Sequence, residues 1–139
     1  MFDKLLVAND GSQGGERAFQ CALELAKRLG VALEMICVEE LQRHPARIEE
    51  VEETPADASN LFDTVAINAN IEAKSQGVAL KTHVVVGHPV PAIAEFAERG
   101  GYDLLIVGFM GHSALYNRMI GSTTDGLVEI APCKVMVAN

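Results

Sequence analysis

The chain has 139 residues, of which 49% are apolar, 22% charged and 5% aromatic, and its formal net charge is −8. That length fits one domain, residues 1–139, able to bury a single core without disulfides or a structural metal, and the composition excludes a disordered or fibrous chain. An acidic balance without clustered Lys and Arg argues against nucleic acid and against an anionic membrane surface as partners.

Lys4 to Ala8 reads as a buried strand that ends in an Asn9-Asp10-Gly11 turn, with Ser12 placed as a helix N-cap. Ala18, Ala22, Leu25, Ala26 and Leu29 follow at helical spacing, and Gly30 stands where a C-terminal glycine is expected. Val31 to Val38 gives a second strand, which completes a βαβ unit and implies a parallel pair. Glu39 to Asp57 breaks the rhythm with Pro45, Pro55 and the acidic run Glu49, Glu50, Glu52 and Glu53. It reads as a solvated connection with a short helical turn, since like charges so close together resist packing.

Helical spacing returns from Ser59 to Gln76 with Leu61, Val65, Ala69 and Ala73, and Gly77 ends it. Leu80 to Val86 is a partly alternating third strand. Gly87-His88-Pro89 then turns into a third helix carrying Val90, Ile93, Ala94 and Ala97, closed by Gly100-Gly101. Asp103 to Val107 and Lys134 to Val137 are the last two strands, separated by a glycine-punctuated loop and a helix from about Thr123 to Ala131. The order predicts an α/β three-layer sandwich, a five-stranded parallel sheet with helices on both faces.

In such sheets ligands bind beyond the carboxyl ends of the strands, where the strand order reverses. Asp10, Val38 and the segment Val107-Gly108-Phe109-Met110-Gly111 should meet there. The last continues through nine residues, His112 to Ile120, to Gly121-Ser122-Thr123 at the start of the final helix. Gly108, Gly111 and Gly121 allow close approach of backbone to ligand and a positive φ where needed. The N–H groups of Ser122, Thr123 and Thr124 at the helix N-terminus form a site for phosphate oxygens, so an acidic chain can hold a nucleotide without a Lys cluster. A divalent cation such as Mg or Mn could offset the remaining charge.

Each of these residues has a plainer role as well. Asp10 can order its own turn, and Ser122 can cap its helix in a reciprocal pairing with Asp125. His88 reads as a loop residue. Phe109 and Met110 read equally as an apolar wall over a ligand or as exposed contacts. Cys21, Cys37 and Cys133 are odd in number, far apart and without a CxxC pair, so neither a disulfide framework nor a zinc site is expected, and Cys37 and Cys133 read as small core residues. The segment after Met1 is charged and strand-like, and no apolar stretch approaches the length of a membrane helix, which with the reduced cysteines predicts a cytoplasmic protein.

The spacing Gly-x2-Gly-x9-Gly-[Ser/Thr], carried by Gly108, Gly111, Gly121 and Ser122, resembles the ATP-binding signature of the universal stress protein family. Leu6 to Ser12 is similar to that family's opening strand and turn, and Ala131-Pro132-Cys133 to its closing turn. The resemblance implies a Rossmann-like fold of the adenine nucleotide alpha hydrolase type. It also implies a bound ATP, with adenine near the Val38 backbone, ribose at Asp10 and Gly108, and phosphates at Gly111, His112, Gly121, Ser122 and Thr123. A homodimer through the terminal strand Lys134 to Val137 is implied too. His112 stands where the family often has Arg, and a neutral imidazole grips phosphate less well, which leaves AMP and cyclic AMP as alternatives to ATP. Phe109, Met110, Asn9 and Lys134 also depart from the family pattern. The expected function is a nucleotide-dependent regulatory or stress-response module with an unidentified protein partner. A slow ATP hydrolase is the weaker reading, because no general base or Lys is placed beside the motif. A nucleotide-free dimeric interaction module is the third reading, which the resemblance permits for members that lack the glycine signature, intact here.

Overall fold

The computed structural model of the chain describes residues 2–40, 54–109 and 122–138. Strand and helix alternate throughout: β1 (Leu5–Ala8), α1 (Gln13–Leu29), β2 (Leu33–Glu39), α2 (Thr54–Ser75), β3 (Leu80–Val86), α3 (Pro89–Gly100), β4 (Leu104–Gly108), α4 (Ser122–Ile130) and β5 (Lys134–Ala138). The strands form one sheet, entirely parallel, in the order β3-β2-β1-β4-β5. The chain winds one way from β1 to β3, crosses back, and winds the other way through β4 to β5. Right-handed crossovers then place α1 and α2 on one face and α3 and α4 on the other.

The strand sequences match their places in this order. β1 and β4 sit inside the sheet, covered on both faces, and read as unbroken apolar runs, Leu5-Leu6-Val7 and Leu104-Leu105-Ile106-Val107, all buried. β3 lies at an edge and alternates, with Lys81, Val84 and Val86 exposed. The core has two halves. Leu5, Val7, Met35 and Cys37 pack under Ala18, Phe19, Ala22 and Leu23 of α1 and Phe62, Ala69 and Ala73 of α2. Leu6, Ile36, Val38, Leu105 and Val107 pack under Ile93 and Ala97 of α3 and Leu127 of α4. Register pairs Leu5 with Leu33 and Leu104, so the central strands begin level and their carboxyl ends emerge together.

Element ends differ from the sequence expectations for identifiable reasons. β2 begins at Leu33 instead of Val31, because the Val31 N–H closes the α1 terminus on Ala26 O at 3.1 Å, with Gly30 in the left-handed conformation at φ 70°. Gly101 ends α3 in the same way at φ 66°. α2 begins at Thr54, five residues before the expected Ser59. Pro55 does not exclude a helix there, since the N–H it lacks would be unpaired in a first turn anyway. Of the expected acidic connection 39–57, residues 41–53 lie outside the described residues. β4 begins at Leu104, because Asp103 serves as a tie: its carboxylate accepts from Asp3 N at 2.9 Å and Lys4 N at 3.1 Å.

A polar cluster that the sequence reading missed lies at the amino-terminal end of the sheet, on the α3 side. Glu34 Oε1 accepts from Tyr102 Oη at 2.6 Å and lies 2.7 Å from His83 Nε2, while Lys4 Nζ stands 4.8 Å from the centre of the Tyr102 ring. Phe96 packs against both rings, 4.7 Å from His83 and 5.8 Å from Tyr102. Burial would raise the Glu34 pKa, but the Tyr102 and His83 hydrogen bonds and the His83 and Lys4 charges outweigh it, so the carboxyl is held below its ordinary value. Burial and the Glu34 hydrogen bond push the Tyr102 phenol the other way, upward. A depressed carboxyl contributes stability that is present above its unfolded pKa and lost as pH falls through the folded one. Glu34→Gln is therefore expected to cost about 1 kcal/mol at pH 7, with the gap to the parent chain closing below about pH 4; urea melts across pH check this.

Candidate functional site

The strand order reverses between β1 and β4, and the two chain segments leaving these strands diverge to opposite faces of the sheet. The carboxyl end of the sheet at this crossover is where the fold leaves a cleft. The Asn9 N–H still bonds Ile36 O at 3.0 Å, so Asp10 leaves the sheet beside the end of β2, close to Val38. On the other side of β1, Val7 pairs with Ile106, which brings Gly108 level with Asn9.

The turn after β1 is held by its own side chains. Asn9 is 2% exposed, yet its Oδ1 accepts from Gly11 N at 3.0 Å and its Nδ2 donates to Met35 Sδ at 3.7 Å. Asp10 Oδ1 accepts from Ser12 N at 2.9 Å and from Ser12 Oγ at 2.5 Å. The same Ser12 hydroxyl accepts from Gly15 N at 3.1 Å and so caps α1 as expected from the sequence. The turn-ordering role of Asp10 is thus present in the structure. It also sets a carboxylate at the positive end of the α1 dipole, which satisfies that terminus electrostatically.

Gly15, which carried no expectation from sequence, makes this packing feasible. A Cβ on Gly15 would lie 2.5 Å from Asn9 Oδ1 and 2.7 Å from Asp10 Oδ1. A Cβ on Gly108 would lie 2.5 Å from the carbonyl oxygen of Gly14. Gly108 therefore owes its identity to close approach by the first turn of α1, and its backbone lies outside the left-handed region, so positive φ is not what it supplies. A signal for Gly15 is in the sequence, because the paired glycines Gly14 and Gly15 in a helix cost stability unless something must pack closely there.

Thr124 joins the last element to this junction. It is 6% exposed, and its Oγ1 donates to Gly108 O at 2.5 Å, which fastens the first turn of α4 to the end of β4. Ser122 and Thr123 precede it as the first two helical residues, and their N–H groups have no acceptor within the helix. Ser122 is thus the first helical residue, one place inside the N-cap position expected from sequence. Gly111, His112, Gly121 and Met110 lie outside the described residues, and Phe109 is half-buried.

The structure accordingly brings together Asp10, Val38, Gly108, Ser122 and Thr123 of the residues expected from sequence. Val38 offers only its backbone, its side chain being buried under α3. Cys37, beneath the Asp10 turn, has its thiol pushed up to about 12 by burial and by the Asp10 charge, so it is a core residue and not a nucleophile. Burial also raises the half-buried Cys133. His88 is exposed and precedes α3 with no capping bond from its ring. Among the described residues no three His, Cys, Asp or Glu side chains group to hold a metal ion, and no helix is long and apolar enough to cross a membrane.

The family model described as the universal stress protein family matches residues 1–139. The chain belongs to the universal stress protein family. Universal stress protein YxiE of Bacillus subtilis is 28% identical over 148 aligned positions that span all of both chains. Among solved structures, the universal stress protein UspA from Lactobacillus plantarum superposes with a TM-score of 0.84 at 27% identity, covering 99% of this chain and 98% of that one. A universal stress protein crystallised in complex with cAMP gives a TM-score of 0.75 at 25% identity, covering 99% of this chain and 97% of that one. The parallel sheet with helices on both faces is thus the family's fold.

The contact between Gly108 and Gly14 is backbone on backbone, so no side-chain rotation relieves an added methyl. Gly108→Ala is expected to destabilise the chain by about 2 kcal/mol, read as a lowered urea midpoint with an unchanged slope.

Proposed function

We propose that this universal stress protein is a regulatory module whose ligand is an adenine nucleotide held at the β1/β4 crossover. The observation that carries the reading is the convergence of three unlike donor sets on one cleft. These are the Asp10 carboxylate, the backbone beyond Val38, and the first turn of α4, which Thr124 secures to Gly108. A carboxylate fixed in a tight turn suits ribose hydroxyls, and helix N–H groups suit phosphate oxygens. The related chain crystallised with cAMP supports the same class of ligand.

In this reading adenine lies against the backbone at Val38, ribose meets Asp10 and Gly108, and phosphate meets Ser122 and Thr123. Gly111, His112 and Gly121 complete the glycine signature of the ATP-binding members. The nucleotide supplies no chemistry beyond its charge and shape: its presence stabilises one arrangement of the residues around the cleft, and a partner protein reads that arrangement. ATP is the ligand the full signature favours. His112, in place of the Arg frequent in the family, moves the preference toward AMP or cyclic AMP.

The second part of the proposal is a homodimer through β5. This strand is the sheet edge opposite β3, and Val135, Met136 and Val137 are only half-buried there. An edge of this kind presents unpaired backbone groups beside apolar side chains, which a second copy would cover. Sedimentation across a concentration series is expected to give a dimer. A monomer at every concentration removes this part.

Binding is tested by mass spectrometry of small molecules released from the purified chain, followed by calorimetric titration with ATP, AMP and cyclic AMP. Saturable binding is expected for at least one of them, and Asp10→Ala should weaken it by about tenfold, the equivalent of one charge-assisted hydrogen bond. Absence of binding to all three, with Gly121→Val changing nothing, would overturn the reading.

A further inference from the structure

The Thr124 hydroxyl is not part of the glycine signature, and its place in the structure gives it a role of its own. It stands at one end of a chain of contacts that runs across the cleft. Thr124 Oγ1 bonds Gly108 O; Gly108 abuts the backbone of Gly14; Gly14 lies in the α1 turn capped by Ser12; and Ser12 holds Asp10 through both its N–H and its hydroxyl. Among the described residues α4 is held further along as well, where Leu127 is buried in the core. There Gly126 allows Val90 of α3 to approach, its Cγ2 3.0 Å from where a Cβ would stand. Val90 fixes the helix against its neighbour near its middle. Among the described residues Thr124 is the side chain that fixes its first turn to the sheet.

We infer that Thr124 is a positioning residue for phosphate selectivity: through the Gly108 carbonyl it sets the first turn of α4 at a fixed distance from the Asp10 turn. The inference rests on the nucleotide reading above and adds to it a determinant of which ligands the cleft prefers. Base and ribose are held on the β1 and β2 side and at the Gly108 backbone, whose place the β4–β5 pairing and the Gly14 contact fix without Thr124. Phosphate alone reaches the α4 terminus. Loosening that terminus by removing one hydroxyl should therefore cost affinity for a phosphorylated adenosine and leave adenosine itself unaffected, because helix N–H groups serve an anion only while they point at it.

The test compares the full chain with Thr124→Val, which keeps the shape and removes the donor, and Thr124→Ser, which restores the donor without the methyl. AMP and adenosine are titrated against each by calorimetry. Thr124→Val is expected to raise the AMP Kd by about tenfold, the effect of losing one well-placed hydrogen bond, with the adenosine Kd unchanged. Thr124→Ser should return the AMP Kd to near the parent value. Equal weakening of both ligands by Thr124→Val would mark a merely structural residue and overturn the inference, as would no change in either, or failure of Thr124→Ser to restore AMP binding. If Thr124→Val does not fold by circular dichroism, Thr124→Ala and Thr124→Ser carry the same comparison, and equal AMP affinities in the two overturn it. A parent chain that binds AMP with no Thr124 dependence removes this inference alone. A parent chain that binds none of ATP, AMP, cyclic AMP and adenosine removes the nucleotide reading and this inference with it, and one that binds ATP or cyclic AMP but not AMP is compared with that ligand in place of AMP.

Discussion

The missing side chain at Gly108 is the constraint on which the arrangement of the crossover depends. Because no Cβ stands there, the backbone of α1 at Gly14 settles directly onto the end of β4. That contact closes the α1 face of the sheet at the crossover and brings the Asp10 turn beside β4. The Gly108 carbonyl remains available to Thr124, so a second helix is anchored on the same residue from the other face. Three elements distant in sequence meet at one glycine, and the geometry of the cleft follows from that meeting.

The two helix N-termini at the crossover are treated differently, and the difference bears on function. α1 is satisfied internally: Ser12 caps Gly15, and the Asp10 carboxylate sits at its positive end. A second anion there would meet like charge. α4 begins with Ser122 and Thr123, whose N–H groups have no helical acceptor, and its nearest acidic side chain, Asp125, comes later in the turn and is exposed. In the proposed reading the phosphate lies at α4 and the sugar at α1, the terminus that already carries its own carboxylate. An acidic protein with net charge −8 can hold an anion in this way because the donors are backbone groups, which the composition does not register.

The sequence made much of this legible. Unbroken apolar runs at Leu5 to Val7 and Leu104 to Val107 announced buried parallel strands, and Gly30, Gly77 and Gly101 marked helix ends that the structure confirms at positive φ. The glycine spacing and the opening turn pointed to the family. What escaped was information carried by contacts between distant residues. Nothing in the local pattern joins Thr124 to Gly108 or Gly14 to Gly108, and Glu34, His83 and Tyr102 are far apart in the chain until register and the α3 turn bring them together. The start of α2 at Thr54 is obscured in the sequence by Pro55, which signals a break inside a helix but at a helix start lacks only an N–H that would be unpaired anyway. Ser122 was displaced by one position for a simpler reason, since helix starts fray and caps are the least certain part of any pattern.

Amide chemical shifts recorded during a titration with AMP report whether an adenine nucleotide binds at the β1/β4 crossover. Saturable shifts are predicted at Asp10 and Gly11, at Val38 and Glu39, at Gly108 and Phe109, and at Ser122 and Thr123, with Glu34, His83 and Tyr102 at the opposite end of the sheet unmoved. Saturable shifts confined to that opposite end or to the outer helix faces would place the ligand away from the crossover, and a spectrum unchanged at millimolar AMP, ATP and cyclic AMP alike would exclude a nucleotide there.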